Sequence, residues 1–143
     1  MSTSDVSRLV LRNQLAELRR LAAWIERWTQ EGVPANVSFA LQLCLEEAVA
    51  NVIMYGATDG ELKIAIELER LDGTLVARIE DDGQPFDPTQ MAPPHLPNTL
   101  KEAKVGNLGI HLVRRFASRV DYERRHGRNR LTLRFEEKMG LPP

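Results

Sequence analysis

Leu62, Ile64, Ile66 and Leu68 alternate with polar residues over Glu61 to Glu69. That is the period of a strand with one buried face. Leu71-Asp72-Gly73-Thr74 follows, and its Asp-Gly pair is a hairpin signal. Leu75, Ala77 and Ile79 then alternate on a returning strand. Upstream, Leu9-Val10-Leu11 marks a short first strand over Ser7 to Arg12. Asn13 reads as the N-cap of a helix through Leu15, Leu18, Leu21, Ala22, Ile25 and Trp28, which Gly32 and Pro34 stop. A second helix is expected from Asn36 or Ser38 to Tyr55, ended by Gly56. Gly83 to Val105 has no sustained period. Leu108, Leu112, Val113, Phe116 and Val120 return to helical spacing. Two strands close the chain, Arg119 to Arg124 and Arg130 to Glu136, with a turn at His126-Gly127. Successive hairpins joined to three helices predict an α+β two-layer sandwich, with a mostly antiparallel mixed sheet and helices on one face.

The chain has 143 residues, enough for one domain that buries roughly two-thirds of its unfolded surface. Nineteen basic and twenty acidic residues give a net charge of -1, which argues against a binder that holds nucleic acid by bulk positive charge. The arginines at 114, 115, 119, 124, 125, 128, 130 and 134 read mainly as a solvated face. One cysteine, Cys44, sits in an apolar helical pattern, so no intrachain disulfide can form. The polar N-terminus does not read as a signal peptide, and no apolar run is expected to be long enough for a membrane span. A cytoplasmic protein without membrane contact is expected. Five of the eight prolines, Pro85, Pro88, Pro93, Pro94 and Pro97, fall in one short window.

Three polar features interrupt this pattern. At about 100° per residue, Asn51 falls about 40° from Glu47 on the second helix and Tyr55 about 80°. A carboxylate and an amide thus share one stripe between apolar neighbours. Burial would tune the carboxylate toward general-base work, and the amide oxygen suits a hard cation such as Mg²⁺. An ordinary surface pair has the same spacing. Next, Asp81-Asp82-Gly83 ends a strand. A carboxylate there can accept a hydrogen bond from an exocyclic amine, with glycine allowing a ring to approach, although a plain turn uses the same residues. Finally, Gly106-Asn107-Leu108-Gly109-Ile110 opens the third helix, with Lys101 and Lys104 just upstream. Free N–H groups at a helix start suit phosphates, and glycine before a helix is also common loop chemistry.

Taken in order, the three features resemble the ATP site of the Bergerat-fold (GHKL) domains shared by type II topoisomerases, a heat-shock chaperone family, MutL and sensor histidine kinases. Glu46-Glu47-Ala48-Val49-Ala50-Asn51, Asp81-Asp82-Gly83-Gln84-Pro85-Phe86-Asp87-Pro88 and Leu108-Gly109-Ile110-His111-Leu112-Val113 carry the resemblance. The second of these is similar to the branch of anti-sigma factor serine/threonine kinases. The likeness runs from the first strand to Phe135.

The resemblance implies one kinase domain over 1–143, with an ATP lid at about 87–105. It implies that Glu47 is the general base and that Asn51 ligates Mg²⁺. It implies that Asp81 binds the adenine amino group with Gly83 beneath the ring. Lys104, Gly106, Asn107, Leu108, Gly109 and Ile110 would then bind the phosphates of ATP. Thr132 matches a position where the family often places a threonine near adenine. Asn107 stands where the family usually has glycine, a residue type that asparagine replaces best in left-handed backbone. The implied partners are a STAS-domain anti-anti-sigma protein as phosphoacceptor and a sigma factor, in a homodimeric partner-switching kinase without direct nucleic-acid contact. A nucleotide-dependent sequestering module with little turnover is the alternative reading. A kinase whose partner pair controls secretion or signalling is a third. The proline window then becomes a semi-stiff lid, expected to be protected from proteolysis by ATP.

Overall fold

A computed structural model of the chain describes residues 5–30, 32–56, 60–90 and 109–137. Strand β1 (Asp5–Arg12) leads to helices α1 (Glu17–Thr29) and α2 (Ala35–Tyr55). Strands β2 (Lys63–Leu71) and β3 (Thr74–Asp81) follow, then a 3₁₀ turn at Pro88–Gln90. Helix α3 (Gly109–Phe116) and strands β4 (Arg119–Arg125) and β5 (Arg128–Glu136) complete the order. The strands form one sheet in the order β1-β2-β3-β5-β4, and every described pairing is antiparallel. The mixed sheet expected from sequence is therefore wholly antiparallel among the described residues.

Strand alternation decides which side chains meet the helices. Ile64, Ile66 and Leu68 of β2 are fully buried, as are Leu75 and Ala77 of β3 and Leu133 and Phe135 of β5. They pack with Leu21 and Ile25 of α1 and with Leu41, Leu45 and Val49 of α2 in one core. The opposite sheet face is charged, with ion pairs Arg78–Glu69 at 3.0 Å and Arg128–Glu80 at 2.9 Å. Both hairpin turns take the left-handed backbone their sequences ask for. Asp72 and Gly73 have φ of 38° and 84°, and His126 and Gly127 have 52° and 72°.

Two further expectations change. Asn13 does not cap α1, whose N-cap position is Ala16 without a side-chain bond. Its amide instead donates to Gly60 O at 3.2 Å and accepts from Leu62 N at 3.0 Å, holding the entry to β2. Glu17 takes over at the helix start, accepting from Arg12 N at 2.9 Å. Second, α2 is 21 residues long with a window of mean hydropathy 1.5, so by length and composition one helix is apolar enough to cross a membrane. In the fold that helix supplies the core, packed on α1, α3 and the sheet. Cys44 lies fully buried in it, and burial followed by the Glu47 charge pushes its thiol up to about 12.

Candidate active site

The second half of α2 turns a polar row inward. Glu47 is half-buried, and Asn51, one turn on, is only 3% exposed. Among the described residues the Asn51 Oδ1 is a buried oxygen with no hydrogen-bond partner. Leaving such an acceptor unmade costs about 1–3 kcal/mol, so it calls for an explanation. A neutral amide oxygen suits a hard cation that takes few protein ligands and keeps phosphates and water as the rest. Among the described residues no cluster of three or more His, Cys, Asp or Glu offers an all-protein cation cage. The residues present thus fit a Mg²⁺ carried with phosphates. Beside them, burial raises the Glu46 carboxyl, a Gln42 hydrogen bond lowers it, and the Glu47 charge raises it further.

Asp81 ends β3 on the helix-facing side and is 5% exposed. Its Oδ1 accepts from Gly83 N at 2.9 Å and from Asn129 Nδ2 at 3.0 Å. Burial is the largest influence on this carboxyl and raises it, while those two bonds pull it down. Asn129 pairs directly with Asp81 across β3 and β5. Its other contacts fix the turn that follows. Nδ2 also donates to Gln84 O at 2.8 Å, and Oδ1 accepts from Phe86 N at 3.2 Å and from the Tyr122 hydroxyl.

The same turn is fastened to the end of α2. Gln84 N donates to Gly56 O at 2.9 Å, and its side-chain amide donates to Tyr55 O at 2.7 Å. Tyr55 stacks on Phe86 with ring centroids 5.6 Å apart. A Cβ at Gly83 would stand 2.4 Å from Gly56 O. The sequence pattern gives Gly83 a role in making room for a ligand ring. The close neighbour in the structure is the chain's own backbone. Arg124 adds a 2.7 Å bond from Nη1 to Gly83 O.

The expected site residues divide into four groups. The α2 terminus is tied to the β3 turn that carries Asp81 and Gly83, with Asn51 one turn and Glu47 two turns back along the same helix. Thr132 does not join them. Asn129, Leu131, Leu133 and Phe135 face the helices, so Thr132 stands on the opposite face, in register with Arg78 and Asp121. Asn129, three residues earlier, holds the place beside Asp81 instead. Gly109 and Ile110 open α3, which packs against α2. Lys104, Gly106, Asn107 and Leu108 lie outside the described residues, as does residue 91 onward of the expected lid. Its start is described. Pro88–Gln90 forms the 3₁₀ turn, Asp87 Oδ1 accepts from Thr89 N at 2.9 Å, and Arg114 of α3 donates to Thr89 O.

A cavity of about 330 Å³ reaches Asp81 and Asp82 from the charged face, between Arg8, Lys63 and Arg128. The buried amides of Asn51 and Asn129 lie on the other side of the sheet, and the site is assigned there.

A family model described as the histidine kinase-like ATPase domain matches residues 11–135. The serine/threonine-protein kinase BtrW of Bordetella bronchiseptica is 35% identical over 109 residues, covering 76% of this chain and 73% of the relative. Among solved structures, the RsbU and RsbW domains of Rv1364c from Mycobacterium tuberculosis superpose with a TM-score of 0.65 at 19% identity. That match covers 92% of this chain and 32% of the other, so the chain spans about a third of its length. A histidine kinase domain from Erythrobacter litoralis gives 0.53 at 16% identity, covering 85% of this chain and 60% of that one. These two likenesses establish the fold, and the family match extends across both the α2 row and the Asp81 turn. The chain belongs to the histidine kinase-like ATPase domain family.

Proposed function

We propose that the chain is an ATP-dependent serine/threonine protein kinase that phosphorylates a STAS-domain anti-anti-sigma protein in a partner-switching system. The observation that carries this reading is the buried, unpartnered Asn51 Oδ1 one helical turn after Glu47. The cost of leaving that acceptor unmade is recovered when a cation meets it. The relative named a serine/threonine-protein kinase supports the choice of acceptor.

In this reading Asp81 receives the adenine amino group, with its Oδ1 already held by Asn129 and Gly83. The phosphates are assigned to Lys104 and Gly106 to Ile110, a stretch that runs into the start of α3. Mg²⁺, held by Asn51, would supply charge neutralisation at the phosphates. Glu47 takes the proton of the acceptor hydroxyl. The hydroxyl oxygen bonds to the γ-phosphorus as the bond to the bridging oxygen breaks, and ADP leaves. The added phosphate brings about two negative charges to the acceptor and dissociates it. The kinase is then free to hold a sigma factor. The reading makes the protein cytoplasmic and homodimeric, with no direct nucleic-acid contact.

The test is incubation with labelled ATP, Mg²⁺ and a STAS-domain protein encoded in the same gene neighbourhood. Label should pass to the STAS protein, and Glu47→Ala should abolish the transfer while still binding ATP. Tight ATP binding by the wild type with no transfer would replace this reading with a sequestering module.

A further inference from the structure

Phe39, Leu43, Glu47, Asn51 and Tyr55 follow one another at intervals of four along α2. Residues so spaced form one ridge that drifts round a helix by about 40° per step. Exposure changes along it. Phe39 is 59% exposed, Leu43 and Glu47 are half-buried, and Asn51 is 3% exposed. Tyr55 ends the ridge against Phe86. The ridge therefore has a polar end enclosed by the Asp81 turn and an apolar end open to solvent, with the carboxylate of Glu47 between them.

Phe39 lies outside the core cluster, and among the described residues it is the most exposed large hydrophobic. Burying a ring of this size is favourable, and the chain alone leaves most of it in solvent here. Phe39 stands two turns from Glu47, about 12 Å along the axis, with Leu43 bridging the interval.

We propose that Phe39, supported by Leu43, is the docking point for the protein phosphoacceptor. The inference rests on the kinase reading. A hydroxyl that yields its proton to Glu47 has to arrive from solvent. The Asn51–Tyr55 side of the ridge adjoins the nucleotide end, so the body of the acceptor covers the Leu43–Phe39 side. The occupant is a folded protein that presents a serine or threonine hydroxyl to Glu47 and, about 12 Å away, an apolar pocket to Phe39. Glu47 on the ridge and Glu46 beside it favour a basic rim on that pocket. One aromatic anchor seated in a pocket commonly dominates the affinity of such an interface.

The experiment compares the full-length wild type, Phe39→Ser and Phe39→Leu. The probe is the STAS-domain protein encoded in the same gene neighbourhood. Its binding is titrated in the presence of Mg²⁺ and a nonhydrolysable ATP analogue, and its phosphorylation is followed with ATP. Phe39→Ser should weaken STAS binding at least about tenfold and raise KM for the STAS protein by a similar factor. Its kcat and ATP affinity should match wild type, and Phe39→Leu should recover most of the loss. Equal STAS binding by wild type and Phe39→Ser overturns the docking assignment, and phosphate transfer by both would leave the kinase reading standing. If wild type binds the STAS protein without phosphorylating it, the kinase reading falls, and the binding difference alone decides the docking site. Absence of STAS binding by the wild type overturns both.

Discussion

Asn129 Nδ2 donates a 3.0 Å hydrogen bond to Asp81 Oδ1, between residues that face each other across β3 and β5. The same amide holds Gln84 O and Phe86 N, so one side chain sets both the proposed adenine-binding carboxylate and the turn beside it. Asn129→Ala should strip these bonds from a residue only 4% exposed. We expect a loss of about 2–3 kcal/mol in denaturant unfolding, and ATP affinity lowered about tenfold in a titration. Unchanged ATP affinity in a folded variant would remove Asn129 from the site.

Asp81→Asn separates stability from binding through pH. Burial raises the Asp81 carboxyl above its ordinary 3.8. A group raised in the folded state keeps its full contribution below the unfolded value and loses it as pH rises through the folded value. The wild type therefore bears a penalty above about pH 4 that the neutral variant avoids. Asp81→Asn retains an oxygen for Asn129 and Gly83. Without nucleotide it should melt higher than wild type at pH 7, and the gap should close below the ordinary carboxylate value. Adenine nucleotide binding should be lost at every pH. Wild-type ATP affinity in this variant would contradict the assignment of the adenine subsite.

Gly83→Ala tests the seam between the β3 turn and α2. The new methyl would sit 2.4 Å from Gly56 O, a backbone atom that can move only with the helix end. The expected cost is about 1–3 kcal/mol in denaturant unfolding. An unperturbed midpoint would show that the seam yields freely.

Cys44 provides a check on the core. Its thiol is fully buried and pushed up to about 12. Iodoacetamide at pH 8 should leave the native protein unmodified and label it once unfolded. Because the unfolded thiol ionises near its ordinary 9.0 and the folded one near 12, stability should also fall as pH climbs through that interval. Rapid native labelling would mean that α2 opens readily.

Much of this was legible in the sequence because local patterns carry it. The period of two over Leu62 to Leu68 and the Asp72-Gly73 and His126-Gly127 turns encode strands and hairpins in adjacent residues. Glu47 and Asn51 share a ridge by spacing alone. What escaped depends on contacts between distant segments. Asn129 sits in Arg128-Asn129-Arg130, which reads as a charged, solvated strand until register sets it opposite Asp81. Thr132 is an odd number of residues from Asn129, so strand alternation sends it to the far face. Asn13 has the chemistry of a helix cap, and it spends both amide groups on Gly60 and Leu62 instead.

The orphaned oxygen of Asn51 bears the central claim, that α2 holds the metal side of a nucleotide site. The direct measurement is ATP affinity with and without Mg²⁺, in wild type and in Asn51→Ala. Mg²⁺ should tighten ATP binding in the wild type, and Asn51→Ala should lose that dependence while melting no lower than wild type in the absence of nucleotide. The same Mg²⁺ dependence in both proteins would contradict the account.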